Sequence, residues 1–175
     1  MLVNLSEVMN RKGEVQEIEA AMDFQEFEMN GERYPVVSKT PLHLALSSSA
    51  TKRLFIKADG KLTLLVPCDR CLKEVLIPFS IHVDREVDLS KTEEERAEDL
   101  DEACYIAGAD LDTGRLVYEE ILLDFPMKVL CREDCRGICK VCGADLNLGE
   151  CGCDRTVLDP RMSVIQDIFK NFKEV

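Results

Sequence analysis

In the stretch YPVVSKTPLHLALS, apolar and polar positions alternate, with Leu42, Leu44 and Leu46 on one side. That period of two is the signature of a strand with one buried face. In EVLIPFSIHVDREVDL, Val75, Ile77, Phe79, Ile81 and Val83 repeat the pattern. Pro78 lacks an N–H, so this strand belongs at a sheet edge or carries a bulge. RLFIKADGKLTLLVP reads as two short apolar runs around Asp59-Gly60, either a hairpin turn or a bulge in one long bent strand. EVQEIEAAMDFQEFEM has a helical composition, but Val15, Ile18, Met22 and Phe24 fit neither period, and the segment is assigned as extended.

The pattern changes after residue 90. Seven of the ten residues from Glu93 to Glu102 are acidic, and charge at that density predicts a solvated loop. DTGRLVYEEILLDFP then takes a helical period, with Tyr118, Ile121, Leu122 and Phe125 as the stripe, Asp112 or Thr113 as the cap and Pro126 as the stop. A second helix is expected in LDPRMSVIQDIFKNF. There Asp159 is the N-cap, Pro160 takes the first helical position, and Met162, Ile165, Ile168, Phe169 and Phe172 form the apolar stripe. These elements predict an α+β fold: an antiparallel, β-rich N-terminal domain over residues 1–125 ending in a helix, then a cysteine module with a C-terminal helix over 126–175.

Composition sharpens this picture at two points. The net charge is −12, yet residues 126–175 carry eight Lys+Arg against eight Asp+Glu, so the whole excess lies on the first 125 residues. An acidic front of this kind disfavours bare nucleic acid and suits a basic protein. There is no signal-peptide pattern and no run of about 20 apolar residues that would span a bilayer. The expected location is therefore the cytoplasm, where thiols stay reduced.

The second point is cysteine. Six of nine cysteines fall between Cys131 and Cys153. Cys68-Asp69-Arg70-Cys71 and Cys139-Lys140-Val141-Cys142 are both C-x-x-C pairs, a spacing that turns two sulfurs toward one point with backbone N–H groups facing them. Gly143 permits a tight turn after the second pair, and Cys151-Gly152-Cys153 follows at short reach. Cys139, Cys142, Cys151 and Cys153 therefore make a first candidate site for structural Zn²⁺, tetrahedral at about 2.3 Å per sulfur. Cys68, Cys71, Cys131 and Cys135 are a possible second site joining the β region to the module, and other pairings around one zinc stay open. Cys104 is left over and reads as a small buried hydrophobe. Between Cys131 and Arg155 the large aliphatic residues are Ile138, Val141, Leu146 and Leu148, too few to offset the entropy of ordering the segment without a metal. Arg132, Arg136, Lys140 and Arg155 lie among the ligands, where they can offset thiolate charge or contact RNA or a protein partner.

Enzymatic chemistry finds little support. The two histidines, His43 and His82, sit in alternating strands and read as surface residues, and no phosphate loop, nucleophile elbow or zinc-protease motif is present. Thiol redox chemistry is the rival use of C-x-x-C, but CDRCLKEVLIPF leads into a strand where a thioredoxin-like motif would open a helix.

CDRCLKEV after a strand, LVYEEILLDFPMKVLC, CRGICKVCGADLN, CGC and DPRMSVIQDI, in that order from about Gly60 onward, resemble the YceD family. These are bacterial proteins named for large ribosomal RNA subunit accumulation. The extra cysteine cluster resembles the Gram-positive type. The resemblance implies a role in the synthesis, processing or stability of 23S ribosomal RNA, and gene adjacency to a zinc-bearing large-subunit ribosomal protein. The expected function is that of a non-enzymatic accessory factor with one or two structural zinc ions. Its partner would be a basic ribosomal protein or pre-ribosomal particle, with no membrane and no small-molecule substrate. A thiol redox switch and an RNA-binding zinc ribbon are the alternatives.

Overall fold

A computed structural model describes residues 1–90 and 105–155 of the chain. Cys104, the acidic run from Glu93 to Glu102 and the helix expected from Asp159 lie outside the described residues. The elements are β1 (Leu2–Asn4), α1 (Ser6–Asn10), β2 (Gln16–Ala20), β3 (Glu26–Met29), β4 (Glu32–Lys39), β5 (Leu42–Ser48), β6 (Arg53–Pro67), β7 (Glu74–Asp88), β8 (Ile106–Ala107), β9 (Asp110–Asp112) and α2 (Thr113–Asp124). The fold is α+β, built on antiparallel sheets.

The long strand β6 is the spine. Asp59-Gly60 makes no hairpin, and the strand runs unbroken for 15 residues. Along one side β7 pairs with it over its full length, from Arg53↔Asp88 to Pro67↔Glu74. Along the other side it pairs with two strands in tandem, β5 opposite residues 54–59 and β4 opposite residues 62–64. Gly60 sits at the changeover, where a Cβ would fall 2.7 Å from the Met22 methyl and 3.1 Å from Leu42 Cδ1. β2 extends the sheet beyond β5, and β3 extends it beyond β4. Among the described residues β7 has a partner on one side only, which is where Pro78, opposite Thr63, does no harm.

The alternating leucines behave as their period demands. Leu42, Leu44, Leu46, Leu54, Ile56, Leu62 and Leu64 are at most 2 % exposed, and burying each stabilises the fold by about 1.5–3 kcal/mol. The segment assigned as extended supplies β2 and β3. Its end is a hairpin with Asn30 (φ 54°) and Gly31 (φ 82°) at the turn, the left-handed pair that suits the twist of two strands. His43 and His82 are exposed on the sheet and paired with Glu19 and Asp59.

α2 starts where Asp112 accepts hydrogen bonds from the N–H groups of Gly114 and Arg115. Its buried face differs from the expected stripe. Thr113, Leu116, Val117 and Ile121 face the core, whereas Tyr118 and Leu122 are 38 % and 40 % exposed. The helix is turned so that Glu120, largely buried, meets Arg85 of β7 at 3.2 Å. Pro126 holds Phe125 in an extended conformation and so ends the helix. Phe125 then joins Phe27, Tyr34 and Phe79, with ring centroids 5.6–6.1 Å away. The small sheet β1-β9-β8 and α1, with buried Val8, complete the core.

Candidate metal centres

The hairpin joining β6 to β7 is the residue run Cys68–Lys73, and its backbone is folded around the first sulfur. Cys68 N–H donates to the Lys73 carbonyl (2.8 Å), and Leu72 N–H donates to the Cys68 carbonyl (2.9 Å). The run Cys139–Ala144 repeats this pattern. Cys139 N–H donates to the Ala144 carbonyl (2.8 Å), and Gly143 N–H donates to the Cys139 carbonyl (2.8 Å). The fifth residue of each turn is left-handed, Leu72 at φ 61° and Gly143 at φ 74°. Two distant sequences thus build the same knuckle, and in the first a leucine takes the position that glycine fills in the second.

Each knuckle faces a second cysteine pair. Cys68, Cys71, Cys131 and Cys135 form one group, and Cys139, Cys142, Cys151 and Cys153 form the other; within each, all four sulfurs lie within 4.8 Å of one another. In the first group Cys68 and Cys135 sulfurs are 3.8 Å apart, and those of Cys71 and Cys131 are 3.5 Å apart. Sulfurs on a tetrahedron at about 2.3 Å from a central ion are about 3.8 Å apart, so the spacing fits a metal ion and is well beyond the about 2.05 Å of a disulfide. The all-sulfur donor set suits a soft or borderline divalent ion such as zinc. The sulfurs of the first candidate site and those of the possible second site are each brought together, four with four.

Surroundings of the two groups differ. Cys68, Cys135 and Cys139 are at most 1 % exposed, while Cys142 is exposed. Burial pushes the Cys68 thiol up, but the N–H groups of Arg70, Cys71 and Cys131 outweigh it and bring it down to about 6. The N–H groups of Cys142 and Val141 bring Cys139 down to about 6 as well. Burial and the neighbouring sulfurs push Cys131 up to about 12. Hydrogen bonds with Cys142 and Cys151, with burial, do the same to Cys153. Each group thus holds negative charge readily at the knuckle's first cysteine and resists a full set of four thiolates, which is the imbalance a divalent cation removes.

The first group is locked to the β-rich region by more than sulfur. Asp69 N–H donates to the Val129 carbonyl (2.9 Å), and Val129 N–H donates to Asp69 Oδ2 (2.7 Å). Arg70 Nη1 donates to the Cys135 carbonyl (2.6 Å), and Ile138 N–H donates to the Arg70 carbonyl (3.1 Å). Gly137, at φ 78°, passes so close that a Cβ there would lie 2.8 Å from the Arg70 oxygen. Asn147 braces the first group from the module side. Its Nδ2 donates to Cys135 Sγ (3.5 Å) and Asp145 Oδ1 (2.7 Å), and its Oδ1 accepts from Arg136 N–H (2.8 Å) and Arg132 Nη2 (2.9 Å). Spacing rules find none of Asp69, Arg70, Gly137 or Asn147. The string CGADLN carries part of the family resemblance but gives no role to its last residue.

The basic residues threaded among the ligands are mostly engaged inside the module. Arg132 meets Asp134 at 3.3 Å as well as Asn147, and Arg136 and Arg155 both pair with Glu150. Lys140 is exposed and has no ion-pair partner among the described residues. Apolar support is thin: Leu146 is buried and Ile138 half-buried, but Val141 and Leu148 are 64 % and 89 % exposed.

Residues 56–169 match the model of the family described as large ribosomal RNA subunit accumulation protein YceD. The chain belongs to the YceD family. A curated relative, described as the uncharacterized protein YlbN of Bacillus subtilis (strain 168), is 29 % identical over 112 residues, which cover 63 % of this chain and 63 % of the relative. No solved structure matches the chain. The family match begins inside β6 and takes in both cysteine groups. The family is described by the accumulation of an RNA, not by a reaction. Among the described residues, no helix is long and apolar enough to cross a membrane.

Proposed function

We propose that this protein is a non-enzymatic accessory factor in the accumulation of 23S ribosomal RNA, acting in the cytoplasm during large-subunit biogenesis. Two zinc ions serve as structural staples, one in each four-cysteine group. The division of labour follows residue 125: the acidic β-rich part contacts a basic ribosomal protein or a pre-ribosomal particle, and the module from residue 126 is held at a fixed angle to it. The observation that carries this reading is the first cysteine group, in which two sulfurs from the β6–β7 hairpin meet two from the module. A metal there joins the regions, and it supplies order that Leu146 and Ile138 alone do not.

Arg132, Arg136, Lys140 and Arg155 are the module's candidate contacts to RNA or partner. Three of them already have internal partners, which favours protein-mediated attachment over an RNA-gripping zinc ribbon. Three measurements test the reading. Elemental analysis of the purified chain is expected to give two zinc per protein. Affinity capture from cells with and without RNase is expected to retain ribosomal proteins of the large subunit, and a deletion strain to lose large subunits on a sucrose gradient. Capture of neither ribosomal protein nor ribosomal RNA overturns the assembly role.

A further inference from the structure

Beside the first cysteine group, where α2 ends, lies a cavity of about 350 Å³ that neither zinc site uses. Its size is within the range of ligand pockets, about 300–1,000 Å³. Its walls are drawn from separate parts of the chain: Met29 and Glu32 flank the β3–β4 turn, Tyr34 is in β4, Val66 and Pro67 end β6, Asp69 is in the first knuckle, and Phe125 to Met127 follow α2. Among the described residues, two carboxylates line it and no cation does. Glu32 gives one oxygen to the Tyr34 hydroxyl (2.8 Å), and Asp69 gives one to the Val129 N–H. A carboxylate has two oxygens, and the other oxygen of each has no partner among the described residues. Tyr34 is buried, and burial together with Glu32 and Asp69 pushes its phenol up to about 12, so it remains a donor. On the rim, Met127 is 102 % exposed, a flexible apolar side chain.

We infer that this cavity is a docking pocket for the arginine side chain of a basic protein partner. The two carboxylates lining it supply charge and acceptors for a guanidinium, which binds carboxylates in a two-pronged fork. Phe125 and Tyr34 supply aromatic walls of the kind on which the same planar cation rests. Met29 and Met127 are adaptable flanks for its aliphatic stem. RNA is the wrong occupant, since its phosphates would meet Glu32 and Asp69. Because Asp69 belongs to the Cys68–Cys71 knuckle, the metal staple and the pocket share one loop. The inference thus deepens the proposed contact with a basic ribosomal partner and rests on that reading.

The test uses the full zinc-loaded chain with ¹³C-methyl methionine, read by NMR. The probe is the tripeptide acetyl-Gly-Arg-Gly-amide, with its citrulline analogue as the uncharged control. The expected result is saturable shifts of the Met29 and Met127 methyls with Met9 unmoved. Binding should weaken about tenfold or more for citrulline and for Glu32→Gln, as expected on losing a charge-assisted hydrogen bond. Glu32→Gln keeps an acceptor for Tyr34, and the unmoved Met9 signal shows the fold intact. Absence of shifts at Met29 and Met127, or equal shifts with citrulline, overturns the pocket. Co-sedimentation with pre-ribosomal particles separates the two ideas. If the wild type co-sediments and Glu32→Gln does so equally, the pocket fails and the assembly reading stands. If the peptide binds but the wild type never co-sediments, the assembly reading fails and the pocket stands as a guanidinium site.

Discussion

Gly137→Ala separates two reasons for a glycine, and Gly143→Ala is its control. Both glycines are left-handed, at φ 78° and φ 74°. A non-glycine residue there costs about 1 kcal/mol or somewhat more. At Gly143 that is the whole cost, since no atom lies within 4 Å of the added Cβ. At Gly137 the Cβ would meet the Arg70 oxygen at 2.8 Å, its Cβ at 3.3 Å and its carbonyl carbon at 3.4 Å. Two of those three atoms are backbone and cannot rotate away. Moving Arg70 strains the bonds it makes to Ile138 N–H and the Cys135 carbonyl, at about 1 kcal/mol or more. The expected total is about 2–3 kcal/mol. Because module order and metal binding are coupled, this appears as zinc affinity: roughly 30–150-fold weaker at the first group for Gly137→Ala, against about fivefold at the second group for Gly143→Ala. A competition titration with a chromophoric chelator measures both. If Gly137→Ala weakens zinc no more than Gly143→Ala does, the close passage of the two backbones is not what holds the module to the hairpin.

Leu72→Gly is expected to tighten zinc at the first group by about two- to fivefold, since Leu72 is 65 % exposed and left-handed; the strain it relieves exceeds the entropy that glycine adds. The same titration checks it, and weaker binding would count against strain at that turn. Asn147→Ala removes the amide that reaches Cys135 Sγ and orders Arg132 and Arg136, and is expected to weaken metal affinity by about 10–100-fold, the usual scale for groups that orient ligands. Cys68→Ser and Cys139→Ser should each reduce zinc content from two to one per chain by elemental analysis; loss of both ions from Cys139→Ser would show that the groups do not load separately. Metal affinity should fall steeply as pH falls. The thiols of Cys131 and Cys153, held up at about 12 without a cation, must release protons on binding, so added protons compete with the ion; a pH series of the chelator titration with a flat profile would contradict four-thiolate ligation.

The sequence by itself determined what depends on neighbours along the chain. Alternation at Leu42, Leu44 and Leu46 gave strands with one buried face, and Asp112 before an amphipathic run gave a capped helix. The paired C-x-x-C spacings marked both knuckles, since a knuckle is closed by hydrogen bonds within six residues. The Asn30-Gly31 turn is equally local, because both residues tolerate a positive φ. What lies between distant segments needed the tertiary structure. Only there does β6 emerge as one strand, because its continuity is enforced by β7 along its whole length and not by Asp59-Gly60 itself. The face of α2 was set by its docking on β7, where Arg85 draws Glu120 inward and leaves Tyr118 turned partly out. The meeting of Cys68 and Cys71 with Cys131 and Cys135, some 60 residues on, and the passage of Gly137 against Arg70 follow from where the hairpin ends in space. Local periodicity carries no information about that, because long-range proximity is a property of the packed core and not of any window of sequence.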